Sequence, residues 1–138
     1  MNFNMTTGYA VGVMAYMSQS YPQLKTAKEI AEEVGVTPLY LIKILHRLLD
    51  ANLLSSEQGR YGGYRLSKEP EKTFIYDIVI AMEKRVQPYA KGRRVNETAP
   101  AITTPWFVAS ESYFRILESK LLIEMKKTTI QEFYNQYM

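Results

Sequence analysis

Two helix-start signals, at Thr26 and Thr37, stand on either side of a single glycine, and a glycine-rich stretch follows them. Thr26 with Glu29 three residues on is the side-chain pair of a capping box, opening a short helix to about Val34 with Ile30, Ala31 and Val34 inward. Gly35 supplies the turn, because a left-handed C-cap costs glycine little. Thr37 caps the next helix, and Pro38 occupies its first turn, where a missing N–H is no loss. Leu41, Ile44, Leu45 and Leu48 then recur at i, i+3, i+4 and i+7, one apolar stripe that leaves Leu39, Lys43, His46, Arg47 and Asp50 on the other side. Ala51-Asn52 ends this helix, since asparagine accepts the left-handed conformation more readily than other non-glycine residues. Leu53 to Ser56 and Tyr64 to Leu66 are short strand candidates, and the three glycines between them favour a hairpin.

The remainder of the chain reads as helices that cover this unit. Thr6 to Ser20 carries Tyr9, Val13, Tyr16 and Met17 at helical spacing and no charge, so it predicts a helix covered on more than one side. Phe74 to Glu83 places Phe74, Ile78, Ala81 and Met82 on one face. Residues 84 to 105 hold Pro88, Gly92, Pro100 and Pro105 among Lys84, Arg85, Lys91, Arg93 and Arg94, a basic loop of unusual length. Trp106 to Lys127 predicts a long helix with a Glu111–Arg115 pair on its wet side and Trp106, Tyr113, Phe114, Leu117, Leu121 and Ile123 on a wide apolar surface. Thr128-Thr129 breaks it before a short amphipathic helix, Ile130 to Tyr137.

Composition excludes more than it selects. The chain has 138 residues, enough for one domain with a real core, and its 17 basic against 14 acidic side chains leave +3, too little to define a partner. There is no cysteine, hence no disulfide framework, thiolate metal site or thiol nucleophile, which suits a cytoplasmic protein. Residues 1 to 24 are uncharged, but Asn2, Asn4, Thr6, Thr7, Ser18, Gln19 and Ser20 interrupt them, so neither a signal peptide nor a membrane span is expected. Nucleophile–base pairs, a phosphate-cradling glycine loop followed by Lys-Ser or Lys-Thr, and a carboxylate–histidine cluster are all missing, so no enzyme is expected.

Two short helices joined by a tight turn and followed by a glycine-tipped hairpin make a winged helix-turn-helix, mainly α with a small β-hairpin wing. In that motif the second helix enters the major groove of double-stranded DNA, and the wing reaches the backbone or the adjacent minor groove. Leu39, Lys43, His46 and Arg47 are then candidate DNA contacts, with Lys43 suited to phosphate and Arg47 to a guanine edge. Leu39 favours apolar contact with a thymine methyl over a hydrogen bond, or is a tolerated exposed leucine. Tyr40 and Tyr61 can each bond a phosphate or simply pack. Thr26 and Thr37 are caps whose helix N-termini also attract phosphate, and Lys28 and Arg60 complete the candidate set.

The stretch Lys28-Glu29-Ile30-Ala31, Val36-Thr37-Pro38, Tyr40-Leu41, Lys43-Ile44-Leu45, Leu48, Ala51, Leu53, Ser56, Gly59, Gly62-Gly63-Tyr64 and Leu66 resembles the Rrf2 family of bacterial transcriptional regulators. Agreement continues at Asp77-Ile78, Ala81, Trp106 and Thr128-Thr129, and fails mainly between 84 and 105. The resemblance implies a repressor that is a homodimer through the long C-terminal helix, reading a pseudo-palindrome. Tyr9, Val13, Trp106, Tyr113, Phe114, Leu117 and Leu121 are then the expected dimer contacts, and Trp106 the anchor of the dimer core. The expected organisation is a DNA-binding domain over 1–84, a basic loop over 85–105 and dimerisation and tail helices over 106–138. Two departures stand out. The family commonly has arginine before the wing's first glycine, where this chain has Gln58, and its cluster-binding members carry three cysteines in the loop, where this chain has none. A cysteine-ligated iron–sulfur cluster is therefore excluded. A small-molecule or protein effector, a module acting mainly through a partner protein, and an anion site on the basic loop stay open.

Overall fold

The computed structural model describes residues 3–83 and 104–138. Helices α1 (Met5–Ser20), α2 (Ala27–Val34) and α3 (Pro38–Asp50) are followed by strands β1 (Leu54–Glu57) and β2 (Gly63–Leu66). A single 3-10 turn, Pro70–Lys72, leads to α4 (Ile75–Met82), and α5 (Pro105–Lys127) and α6 (Ile130–Tyr137) complete the order. The basic loop lies, up to residue 103, outside the described residues. Among the described residues no helix is long and apolar enough to cross a membrane.

Every α-helix but α4 begins at a capping side chain. Thr26 and Thr129 form capping boxes with Glu29 and Glu132, and the Thr37 and Thr104 side chains accept backbone N–H groups at the starts of α3 and α5. Gly35 ends α2 at φ 81° and Asn52 follows α3 at φ 57°, the left-handed conformations expected of both. The strands pair antiparallel with Leu54 opposite Leu66 and Glu57 opposite Gly63.

The core is organised around α1, whose Ala10, Val13, Met14 and Met17 are buried from α2, α3, α4 and α6 alike. Ile30, Leu41, Ile44, Leu45, Leu48, Leu66 and Ile78 close around them. Each such aliphatic contributes about 1.5–3 kcal/mol by leaving water. A charge anywhere on the buried side of α1 would lack a partner, which accounts for its uncharged composition.

Two backbone bridges tie distant segments. Lys25 and Tyr64 exchange N–H···O bonds of 2.8 Å in both directions, so the wing is fastened to the residue just before the Thr26 cap of α2. Ile75 N–H donates to Thr128 C=O at 2.9 Å and Ile130 N–H to Thr73 C=O at 2.7 Å, fastening the α5–α6 junction to the start of α4. Ile130 is itself fully buried in the common core, so the tail helix belongs to the same packed body as the reading helices.

Candidate nucleic-acid interface

Helix α3 rests on Leu41, Ile44, Leu45 and Leu48, all fully buried, and this fixes which side is left outward. On that side Leu39, Ile42, Lys43 and His46 follow one another at i, i+3, i+4 and i+7, all exposed. Ile42 is the member that an apolar pattern conceals. Its side chain counts toward the core by type, yet projecting the helix from Leu39 puts it on the outward face.

The structure places Arg47 differently from its expected neighbours. It is half-buried, and its Nη1 donates to the Met82 carbonyl at 3.1 Å. The last carbonyls of a helix lack intrahelical donors, so this guanidinium caps the end of α4 and holds α3 against it. Tyr40 lies on the same flank. Its hydroxyl is 2.6 Å from Thr6 Oγ1 and its ring stands edge-on to Tyr9, centroids 5.7 Å apart. In the single chain Tyr40 thus packs and bonds within the protein.

The other reading candidates are distributed around this helix. Thr26 Oγ1 accepts from Glu29 N–H at 3.2 Å and Thr37 Oγ1 from Tyr40 N–H at 3.2 Å, so both hydroxyls serve as caps, with Lys28 exposed beside the first. At the wing tip Arg60 and Tyr61 are both solvent-exposed, the guanidinium carbon 5.5 Å from the ring centroid. Arg65 braces the wing from within, donating to Glu57 Oε1 at 2.7 Å and to the Pro22 carbonyl at 3.4 Å.

The expected dimer residues divide into two groups. Trp106 is 86% exposed, and Tyr113, Phe114 and Leu117 are exposed along the same helix. Leu121 is half-buried and helps line an apolar groove of about 540 Å³ between α1, α4, α5 and α6. Val13, by contrast, is fully buried in the chain's own core, and Tyr9 packs against that core and Tyr40. Val13 is therefore a core residue, because α1 is enclosed by its own neighbours before any second copy arrives.

The chain entering α1 is held by Glu83. Its Oε1 accepts the Thr7 hydroxyl at 2.6 Å and the Asn4 N–H at 2.7 Å. These two bonds favour the ionised form, the Thr7 hydroxyl most, and hold the carboxyl below its usual range. A carboxyl lowered on folding stabilises the protein above its unfolded pKa, and that contribution fades as pH falls through the lowered folded value. The stability gap between the wild type and Glu83→Gln is accordingly expected to be widest near neutral pH. It should shrink below about pH 4, where unfolded carboxylates take up protons. Thermal melts across that range check it, and a gap that stays constant into acid counts against the assignment.

A helix that exposes one face while burying the other, preceded by a capped partner helix and followed by a fastened hairpin, defines a winged helix-turn-helix protein. The chain belongs to the Rrf2 family, described as iron-dependent transcriptional regulators, which it matches over residues 3–136. These are regulators and not enzymes. Among its relatives, the protein aau3 of Rhizobium meliloti (strain 1021) is 35% identical over 83 residues, 60% of this chain and 54% of that protein. The chain thus spans little more than half the length of that relative. The HTH-type transcriptional regulator CymR of Bacillus subtilis (strain 168) is 26% identical over 133 residues, 94% of each chain. The solved structure of CymR (YrzC), the global cysteine regulator of B. subtilis, covers 100% of this chain and 99% of its own with a TM-score of 0.77 at 21% identity, a likeness of fold.

Among the described residues the iron in the family's description finds no matching donor set. The chain has no cysteine and one histidine, His46, on the outward face of α3, and residues 84 to 103 add only the carboxylate Glu97. Among the described residues no three His, Asp or Glu side chains are grouped to hold a metal ion.

Proposed function

We propose that the protein is a sequence-specific DNA-binding transcriptional regulator that works as a homodimer and represses by occupying a promoter. The observation that carries this reading is the outward face of α3, presented as Leu39, Ile42, Lys43 and His46 by an opposite side that is wholly buried. Membership of a family of transcriptional regulators supports it. Two copies joined through α5 would read half-sites of a pseudo-palindrome about one helical turn, roughly 34–36 Å, or a multiple of it, apart. Residues 1–84 supply the reading head, on which α6 packs, and α5 supplies the dimer contact. In this reading Lys43, His46 and Lys28 meet the duplex from the helix-turn-helix and Arg60 and Tyr61 from the wing, while Thr26, Thr37, Tyr40 and Arg47 hold the reading helices in place. No cysteine-ligated cluster takes part, and a signal reaches the protein through another ligand or a partner.

Selection of duplexes from a random pool tests the proposal. A recovered pseudo-palindrome, bound with an affinity that falls steeply with salt, is the expected result. Lys43→Ala should weaken binding about equally on every duplex and reduce the salt slope by about 1, as loss of one phosphate contact does. A slope equal to the wild type's would remove Lys43 from the backbone contacts.

A further inference from the structure

Leu39 and Ile42 occupy successive turns of the outward face of α3, 72% and 43% exposed. The hydrogen-bonding groups beside them already have partners within the protein. Thr37 Oγ1 accepts the Tyr40 N–H at 3.2 Å, and the Tyr40 hydroxyl is 2.6 Å from Thr6 Oγ1. Past the Thr37 cap, the first turns of the outward face therefore offer mainly carbon, and its charged and imidazole groups begin at Lys43 and His46.

A recognition helix meets base edges with its N-terminal residues, and the one apolar feature those edges present in the major groove is the C5-methyl group of thymine. Three residues advance an α-helix by about 4.5 Å, about 1 Å more than the roughly 3.4 Å between successive bases on a strand, a difference that flexible aliphatic side chains span. Two aliphatic side chains at this spacing thus match the methyl groups of two neighbouring thymines. Single exposed aliphatics need no explanation. A pair on the reading face, where neighbouring hydroxyls are already engaged, has a partner of this chemistry available.

Resting on the reading of the chain as a DNA-binding regulator, we propose that Leu39 and Ile42 read two adjacent thymine methyl groups in each half-site. Specificity at those positions then comes from apolar contact, and hydrogen-bond readout falls to the positions facing Lys43 and His46.

Uracil tests this cleanly, because it keeps thymine's hydrogen-bonding edge and lacks only the methyl group. The duplex selected by the full chain is resynthesised with each half-site thymine replaced in turn by uracil. Two neighbouring replacements are each expected to weaken binding about fourfold, the worth of one buried methyl. The penalty at one of them should vanish in Leu39→Ala and at the other in Ile42→Ala, both changes at exposed positions outside the core. A selected site in which every replacement stays within about twofold overturns the methyl reading and leaves DNA recognition standing, with the stripe free to meet a protein instead. Failure to select any site overturns both.

Discussion

Replacing Tyr113 and Leu117 together by aspartate is expected to give a folded monomer that holds its DNA site about 100- to 10,000-fold more weakly than the wild type, the factor lost when two linked binding events become separate ones. Both side chains lie four residues apart on α5, and both are exposed in the single chain, so the substitutions remove nothing from its core. Helix α5 also exposes Trp106, Val108, Ile116 and Ile123, and it buries only Met125. Such a display of apolar side chains is what a helix that meets a second copy would carry. A carboxylate forced into the centre of such a contact would be desolvated without a partner, which opposes association far more than it opposes folding. Sedimentation of wild type and variant at the same concentration, with DNA titrations beside it, separates the outcomes. A wild type that sediments as a monomer, or a variant that dimerises unchanged, would falsify the assignment of α5 as the contact.

The second large effect belongs to the wing. Gly63→Ala is expected to lower stability by about 2–4 kcal/mol, a loss that places it among the more damaging single changes. A Cβ built at this position falls 2.5 Å from the Lys25 carbonyl oxygen and 2.8 Å from its carbon, at a φ of 154°. Neither atom can yield without breaking the paired Lys25–Tyr64 hydrogen bonds that hold the wing. Gly59 provides the control. It also has positive φ, 111°, but its Cβ would meet nothing within 4 Å, so Gly59→Ala bears the conformational strain alone, roughly 1–2 kcal/mol. Chemical denaturation of the two variants isolates the close approach as the difference, and equal losses would dismiss it.

What could be read from the sequence was local. The starts of α2 and α3 follow from Thr26 and Thr37, because a cap is decided by residues three apart, and the turn at Gly35 and the end at Asn52 follow for the same reason. The inward stripe of α3 was equally plain from its period. The role of Arg47 was not, since a helical projection ranks it as outward and only the arrival of α4 supplies the carbonyl it caps. Val13 misled for a related reason. Its spacing on an uncharged helix implies burial but cannot say whether the cover is the same chain or a second one. Ile42 was obscured by its own side-chain type. The Lys25–Tyr64 bridge, made across the whole helix-turn-helix, has no signature in either neighbourhood.

The burial of Ile130, together with the hydrogen bonds linking Thr73 and Ile75 to the α5–α6 junction, bears on how such regulators can be recombined. The reading helices are not a detachable cassette. A chimera that takes residues up to the end of α4 from this chain and everything beyond from a relative would replace Ile130, which now closes the floor of the core, with a side chain fitted to another core. An exchange of DNA specificity between relatives should therefore travel in two pieces, the first four helices with their wing and the final eleven residues, leaving α5 as the part to be swapped. Alternatively, α3 and the wing tip can be redrawn alone, since their outward residues rest on a scaffold that asks nothing of them.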